Sequence, residues 1–207
     1  MTRSRLRPAW LAAAGVTLVL SGMAIGSERR VAAVAAVRDA EPPVRAALLA
    51  EAAGWRPADV PPRAAIGLAA LWLRQAGAAV PPGSDRASLA HARAMLAVAD
   101  AGRPDAAATL LLHSQLAIAP GDHPTPASLR AFIASYAAAP FLTAEGFWRA
   151  AYAARYWRDL PAATQEAAVA EAAWLAALDG RFNDRLVDIM GGSPMSVRFA
   201  LRMQPKP

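Results

Sequence analysis

The chain has 207 residues, no cysteine and a formal net charge of +6. The absence of cysteine excludes disulfides, thiolate catalysis and cysteine-based zinc sites. The positive charge does not indicate nucleic-acid binding: residues 1–30 hold five arginines and one glutamate, whereas residues 31–207 hold 17 basic and 15 acidic side chains without a basic run.

An uncharged segment, residues 9–26, is the strongest signal at the N-terminus. Arginines precede it at positions 3, 5 and 7 and follow it at positions 29 and 30. In a helix, about 18 residues extend about 27 Å, close to the thickness of the hydrocarbon core of a bilayer. We therefore predict a short cytoplasmic basic segment (1–8), a transmembrane helix (9–26), a juxtamembrane helical extension (27–40) and an all-α soluble domain (41–207).

Two alternatives remain open for residues 9–26, a cleaved secretory signal and a buried helix of a soluble domain. The basic start, the apolar stretch and the small residues before Ser27 also fit a signal peptide. The anchor is favoured because Val31, Val34 and Val37 continue a helical spacing through the cleavage region, with no proline before Pro42.

The arginines before the segment favour a cytoplasmic N-terminus. Arginine far outnumbers lysine, which occurs only at Lys206, and this bias is typical of a GC-rich bacterial genome. The expected location is thus the bacterial inner membrane, with the soluble domain in the periplasm.

The pattern of the remaining residues predicts helices that are separated by proline and glycine. Capping residues or prolines mark the expected starts near Pro42, Pro62, Asp85, Thr125, Thr143, Pro161 and Ser193, and the expected ends lie near Gly54, Gly77, Gly102, Pro120, Pro140, Gly180 and Gly191. No segment alternates with the period of a strand. The predicted fold class is all-α.

The clearest predicted helix pair covers residues 87–100 and 106–118, and Leu89, Ala92, Met95 and Leu96 are expected to face the second helix. The glycine in the turn, an alanine early in the second helix and the proline after it make residues 87–120 resemble a tetratricopeptide-like helical hairpin. The resemblance implies a repeat-like domain that binds other proteins.

An aromatic stretch from residue 141 to 157 is the main candidate surface. Trp148, Tyr152 and Tyr156 recur at helical spacing, with Arg149 and Trp157 beside them. Such a stripe suits a protein partner or a glycan, and it equally suits the core of a small helical domain.

The remaining candidates carry weaker signals. Asp122 and His123 are adjacent in a proline-rich loop, where they form either a polar site or an ordinary turn. No histidine has a second ligand at metal spacing, so we expect no metal or cofactor. Gly191–Gly192 before Ser193 is interpreted as a helix end followed by a helix cap, not as an anion site.

These observations lead to one preferred function and one alternative. The preferred hypothesis is a membrane-anchored, non-catalytic envelope protein that binds other proteins, as a scaffold or accessory subunit of an envelope, secretion or polysaccharide assembly. The alternative is an anchored or secreted enzyme or binding protein that acts on glycans through residues 141–157.

Overall fold

The computed structural model describes residues 6–80, 85–118 and 123–204, with only the backbone described for residues 6–13. All regular structure in these ranges is helical, which confirms the predicted all-α class. The helices are α1 (Leu6–Ala36), α2 (Pro42–Ala52), α3 (Pro62–Ala78), α4 (Arg86–Gly102), α5 (Ala107–Ile118), α6 (Pro126–Ala138), α7 (Gly146–Arg155), α8 (Ala162–Leu178), α9 (Arg181–Met190) and α10 (Pro194–Met203). Single 3₁₀ turns at Pro57–Asp59 and Trp157–Asp159 precede α3 and α8.

Helix starts follow the capping signals of the sequence. Side-chain oxygens of Asp85, Thr125 and Ser193 accept hydrogen bonds from backbone N–H groups of the first turns of α4, α6 and α10. The start predicted after Thr143 is displaced to Gly146, because residues 143–145 form a turn. A carboxylate of α8 holds the chain just before this turn by accepting the Leu142 N–H, at 2.8 Å.

Helix pairing differs from the predicted hairpin. α4 packs chiefly on α3, and α5 packs chiefly on α6, whereas α4 and α5 contact each other less. Leu89 and Met95 of α4 therefore lie in a core shared with α3. The predicted α4–α5 contact is present, with Leu112 of α5 in the same cluster as Leu89 and Met95, but it is smaller than the contacts that α4 makes with α3 and α5 makes with α6. Residues 119 and 120, at the end of the tetratricopeptide-like segment, lie outside the described residues.

The domain has two hydrophobic clusters, and α5 belongs to both. The first cluster is built by the end of α1 with α2, α3 and α4, and the second by α6 to α10. Leu112 is buried in the first cluster and its neighbour Leu111 in the second. Successive residues of a helix point about 100° apart, so this one helix serves both cores.

The last third of α1 is part of the packed domain. Val34 is 4 % exposed against α3, and it approaches so closely that a Cβ on Gly67 would lie 2.5 Å from its Cγ1 atom. Just after the end of α1, the Arg38 carbonyl accepts a hydrogen bond of 3.0 Å from Arg74 Nη1 of α3. The predicted juxtamembrane extension, residues 27–40, is therefore held by the domain.

The transmembrane helix predicted for residues 9–26 is not supported by the described part of α1. Within the part of the chain that the structure describes, no helix combines the length and the apolar character needed to cross a bilayer.

Replacing Gly67 by Ala should destabilise the protein. The new methyl group would collide with Val34, and an overpacked contact typically costs about 1–3 kcal/mol. Urea unfolding of the full chain in detergent measures the loss.

Gly77→Ala, in the same helix, is the matched control. A Cβ there meets no atom within 4 Å, so the better helix propensity of alanine should leave stability unchanged or raise it by up to about 1 kcal/mol. Equal behaviour of the two variants would contradict the close α1–α3 contact.

Candidate functional site

The aromatic stretch lies mostly in the second core. Tyr152, Tyr156 and Trp157 are 3 %, 6 % and 7 % exposed, and Arg149 is fully buried. Trp148 alone among the five candidate residues is partly exposed. The stretch therefore offers little surface to a partner or a glycan.

Ring packing explains this burial. Phe132 of α6 stacks on Tyr152 with ring centroids 4.2 Å apart and meets Trp148 edge-on at 6.2 Å. Tyr152 also contacts Tyr156 edge-on at 4.8 Å. Offset and edge-to-face pairs of this kind stabilise aromatic cores.

Arg149 is enclosed in this core by hydrogen-bond acceptors. Its Nη1 atom donates to Glu171 Oε1 and to the Ala139 carbonyl, both at 2.9 Å, and its Nη2 atom donates to the Ser135 carbonyl at 2.6 Å. The guanidinium also lies over the ring of Tyr136, 4.2 Å from the centroid. A buried charge is tolerated only when it is paired and hydrogen-bonded in this way.

Glu171 completes the cluster from α8. Besides Arg149, its carboxylate accepts the Tyr136 hydroxyl at 3.0 Å and the Leu142 N–H. Burial raises the pKa of Glu171, whereas the guanidinium of Arg149 and the two other donors oppose that shift. Burial, together with the charge of Glu171, likewise raises the pKa of Tyr136.

A second buried cluster, made of three hydroxyl groups, links α5, α6 and α7. The Ser128 hydroxyl lies 2.7 Å from the Tyr152 hydroxyl and 3.0 Å from that of Ser114. Each of these three hydroxyl groups therefore has a partner inside the protein, and the group binds three helices together without reaching solvent.

Sequence reasoning missed the role of Glu171. Its neighbour in α8, Glu166, lies on the surface and forms a 2.6 Å ion pair with Arg198. The available signal was the spacing of Ala168, Glu171 and Leu175, which places the glutamate in the middle of an apolar helix face.

A shallow depression of about 530 Å³ lies beside the end of α7. Its polar lining comes from Arg155, Arg158, Asp159 and Ser193, and Trp157 also lines it. The Ser193 hydroxyl is occupied as the cap of α10, and the left-handed Gly192 (φ 76°) connects α9 to α10. The interpretation of this segment as a helix end followed by a cap is confirmed.

The histidines are dispersed. His91 stacks on Trp72, with centroids 4.5 Å apart, and His113 Nε2 lies 2.9 Å from Asp100 Oδ1 across the α4–α5 connection. His123 is exposed, and Asp122 lies outside the described residues. Among the side chains that the structure describes, no group of three or more potential ligands could hold a metal ion.

The described apolar part of α1 is exposed on every side. Side chains from Ala14 to Gly26 are all exposed, among them Leu18 at 74 % and Met23 at 69 %. Exposed apolar surfaces of this extent mark contacts with a membrane or another protein. Comparison with protein-family models, with curated proteins and with solved structures found no match for the chain.

Replacing only one member of the buried Arg149–Glu171 pair should lower the free energy of unfolding strongly. Arg149→Met or Glu171→Gln leaves the other group buried without its ionic partner, which typically costs about 3–5 kcal/mol. The double variant should lose less than the sum of the single losses, since no uncompensated charge remains. Urea unfolding of the four proteins gives the coupling energy.

The exposed Arg198–Glu166 pair is the control for this cycle. Surface ion pairs contribute about 0–1 kcal/mol, so Arg198→Met and Glu166→Gln should have small, additive effects. Additive losses at Arg149 and Glu171 would contradict the interaction of the buried pair.

Tyr136 should make the protein sensitive to alkali. Because its pKa is raised in the folded state, the phenol ionises first in the unfolded chain, and its contribution to stability is lost as pH rises above about 10. Replacing Tyr136 by Phe should therefore flatten the decline of unfolding free energy by up to about 1.4 kcal/mol per pH unit. Identical alkaline slopes for both proteins in urea titrations would contradict this.

Proposed function

We propose that the protein is a single-pass membrane protein of the bacterial inner membrane whose periplasmic helical domain binds other proteins without catalysing a reaction. It would serve as a scaffold or accessory subunit of an envelope, secretion or polysaccharide assembly. The observation that carries the proposal is α1, a continuous helix that is packed on the domain at one end and exposed from Ala14 to Gly26, the described part of its uncharged stretch.

The anchor is favoured by the length of the uncharged stretch taken as a whole. The described side chains from Ala14 to Ser27 extend about 21 Å along a helix, which is too short for a bilayer core of about 30 Å. Residues 9–13 belong to the same helix and are also uncharged, and they extend the stretch to nearly the required length.

The continuity of α1 argues against a cleaved signal. The expected cleavage position, before Ser27, lies inside the helix and one residue before Glu28, which pairs with Arg63 of α3 at 3.7 Å. A protease needs an extended substrate there, and unwinding this part of α1 would disturb its contact with the domain.

The exposed face of α10 supports the proposal that the domain binds other proteins. Met195 and Phe199 on one face are buried, whereas Val197 and Leu201 on the opposite face are 62 % and 61 % exposed. Apolar side chains four residues apart form the stripe through which helices bind partners.

The glycan alternative has less support. Its main feature, the stripe of Trp148, Tyr152 and Tyr156, would have to line an open cleft, yet both tyrosines are buried against Phe132 and its neighbours. No observation specifically favours it.

Charge placed in the exposed part of α1 should release the protein from membranes. The wild-type chain should sediment with membranes after carbonate treatment, whereas Leu18→Arg with Val19→Arg should reduce this fraction strongly, since each arginine near the centre of a span costs about 2.5–3.5 kcal/mol. Fractionation with immunodetection measures the distribution.

Val197→Arg with Leu201→Arg is the matched control. These positions are exposed to a similar degree, so this variant should remain in the membrane but lose the proteins that co-purify from detergent-solubilised membranes. A soluble wild-type form that begins at Ser27 would contradict the anchor, and unchanged co-purification would contradict the role of α10.

A further inference from the structure

The domain surface beside the exposed part of α1 is rich in arginine. We propose that this surface, called here the arginine collar, binds the headgroups of anionic phospholipids and holds the domain against the bilayer. The collar consists of Arg29, Arg30, Arg56, Arg63 and Arg103. The proposal rests on the membrane anchoring proposed above.

The position of the collar along the axis of α1 follows from the direction of α3. Arg63 at the start of α3 pairs with Glu28, and Arg74 near its end bonds to the Arg38 carbonyl, so α1 and α3 run parallel. The start of α3 therefore lies at the level where the uncharged stretch ends.

Arg30 brings a second segment to this level. Its guanidinium donates to the carbonyl of Asp59 and lies over the ring of Trp55, 5.6 Å from the centroid. The connection from α2 to α3, with the exposed Arg56, is thereby fixed beside residue 30 of α1.

The last arginine of the collar, Arg103, follows the end of α4. α4 runs back along α3, and Gly102 approaches Pro62 so closely that a Cβ would lie 2.3 Å from the proline Cγ. Arg103 follows directly and is exposed. Arginines from four separate parts of the chain thus share one end of the domain.

The distance to the bilayer fits headgroup contact. Residue 30 follows Gly26, the last residue of the uncharged stretch, by four positions, which is about 6 Å along the helix. The headgroup region on each side of a bilayer is about 5–8 Å thick, so residues level with Arg30 lie within it. Because α1 is fixed to α3, the domain cannot turn this end away.

The chemistry of the collar suits phosphate groups. Arg29, Arg56 and Arg103 have exposed side chains without a hydrogen-bond or ion-pair partner among the described residues. Guanidinium groups bind phosphate oxygens in pairs, and the ring of Trp55 suits a membrane interface.

Several carboxylates accompany the collar. Glu28 is engaged by Arg63, and Asp59 and Asp105 are exposed beside collar arginines in the sequence. Glu51 and Asp100 belong to the last turns of α2 and α4. The five collar arginines outnumber Glu28, Asp59 and Asp105, and this moderate excess predicts binding that salt weakens.

Single cysteine labels can test the proposal, since the chain contains no cysteine of its own. Full-length Ala58→Cys, labelled with an environment-sensitive fluorophore, is reconstituted into vesicles of phosphatidylcholine with or without phosphatidylglycerol. Phosphatidylglycerol should protect the label from an aqueous quencher. Ala87→Cys, exposed at the opposite end of the domain, should show no difference.

Substitutions in the collar identify the arginines that produce this protection. Each arginine near an anionic surface favours the docked state about fivefold, so Arg56→Gln with Arg103→Gln should weaken docking roughly 25-fold and remove the protection. Arg86→Gln at the far end of α4, also exposed and without a side-chain partner among the described residues, should leave the protection intact.

The outcomes separate the two proposals. Protection that depends on phosphatidylglycerol and on Arg56 and Arg103 supports the collar. Equal quenching in both lipids, with the protein stably incorporated, overturns the collar and leaves the anchor standing. Failure of the wild-type chain to incorporate overturns both.

Discussion

A positive charge without access to water must be neutralised from inside the protein, and the second half of the domain is organised around this requirement at Arg149. The acceptors come from the end of α6, from the connection to α7 and from Glu171 in α8. None of these contacts joins neighbours in sequence, so the charge fixes how three helices are arranged, while the surrounding aromatic rings supply the burial.

Helix boundaries were predictable from sequence because they depend on local chemistry. A capping oxygen such as that of Asp85, or a proline in the first turn, satisfies or removes N–H groups of the same helix. Pairing was not predictable, because the alanine-rich faces of α4 fit α3 and α5 equally well by pattern. The buried Arg149 also escaped prediction, since an arginine beside aromatic residues is more often exposed.

The same limit applies to the candidate surface. The spacing of Trp148, Tyr152 and Tyr156 identified a real stripe, but spacing alone does not distinguish a stripe that faces solvent from one that faces Phe132. The uncharged segment of α1 was recognisable from the absence of charge. Its attachment through Val34 and Gly67 depends on a close approach between two helices, which a single sequence does not reveal.

Adjacent leucines on α5 give the molecule a mechanical property. Leu112 is held by the cluster that grips α1, and Leu111 by the cluster around Arg149. A pull on α1, or a load applied at α10, is transmitted through one rigid helix instead of being absorbed by a flexible linker. The two halves should therefore yield together under force, as one structural unit.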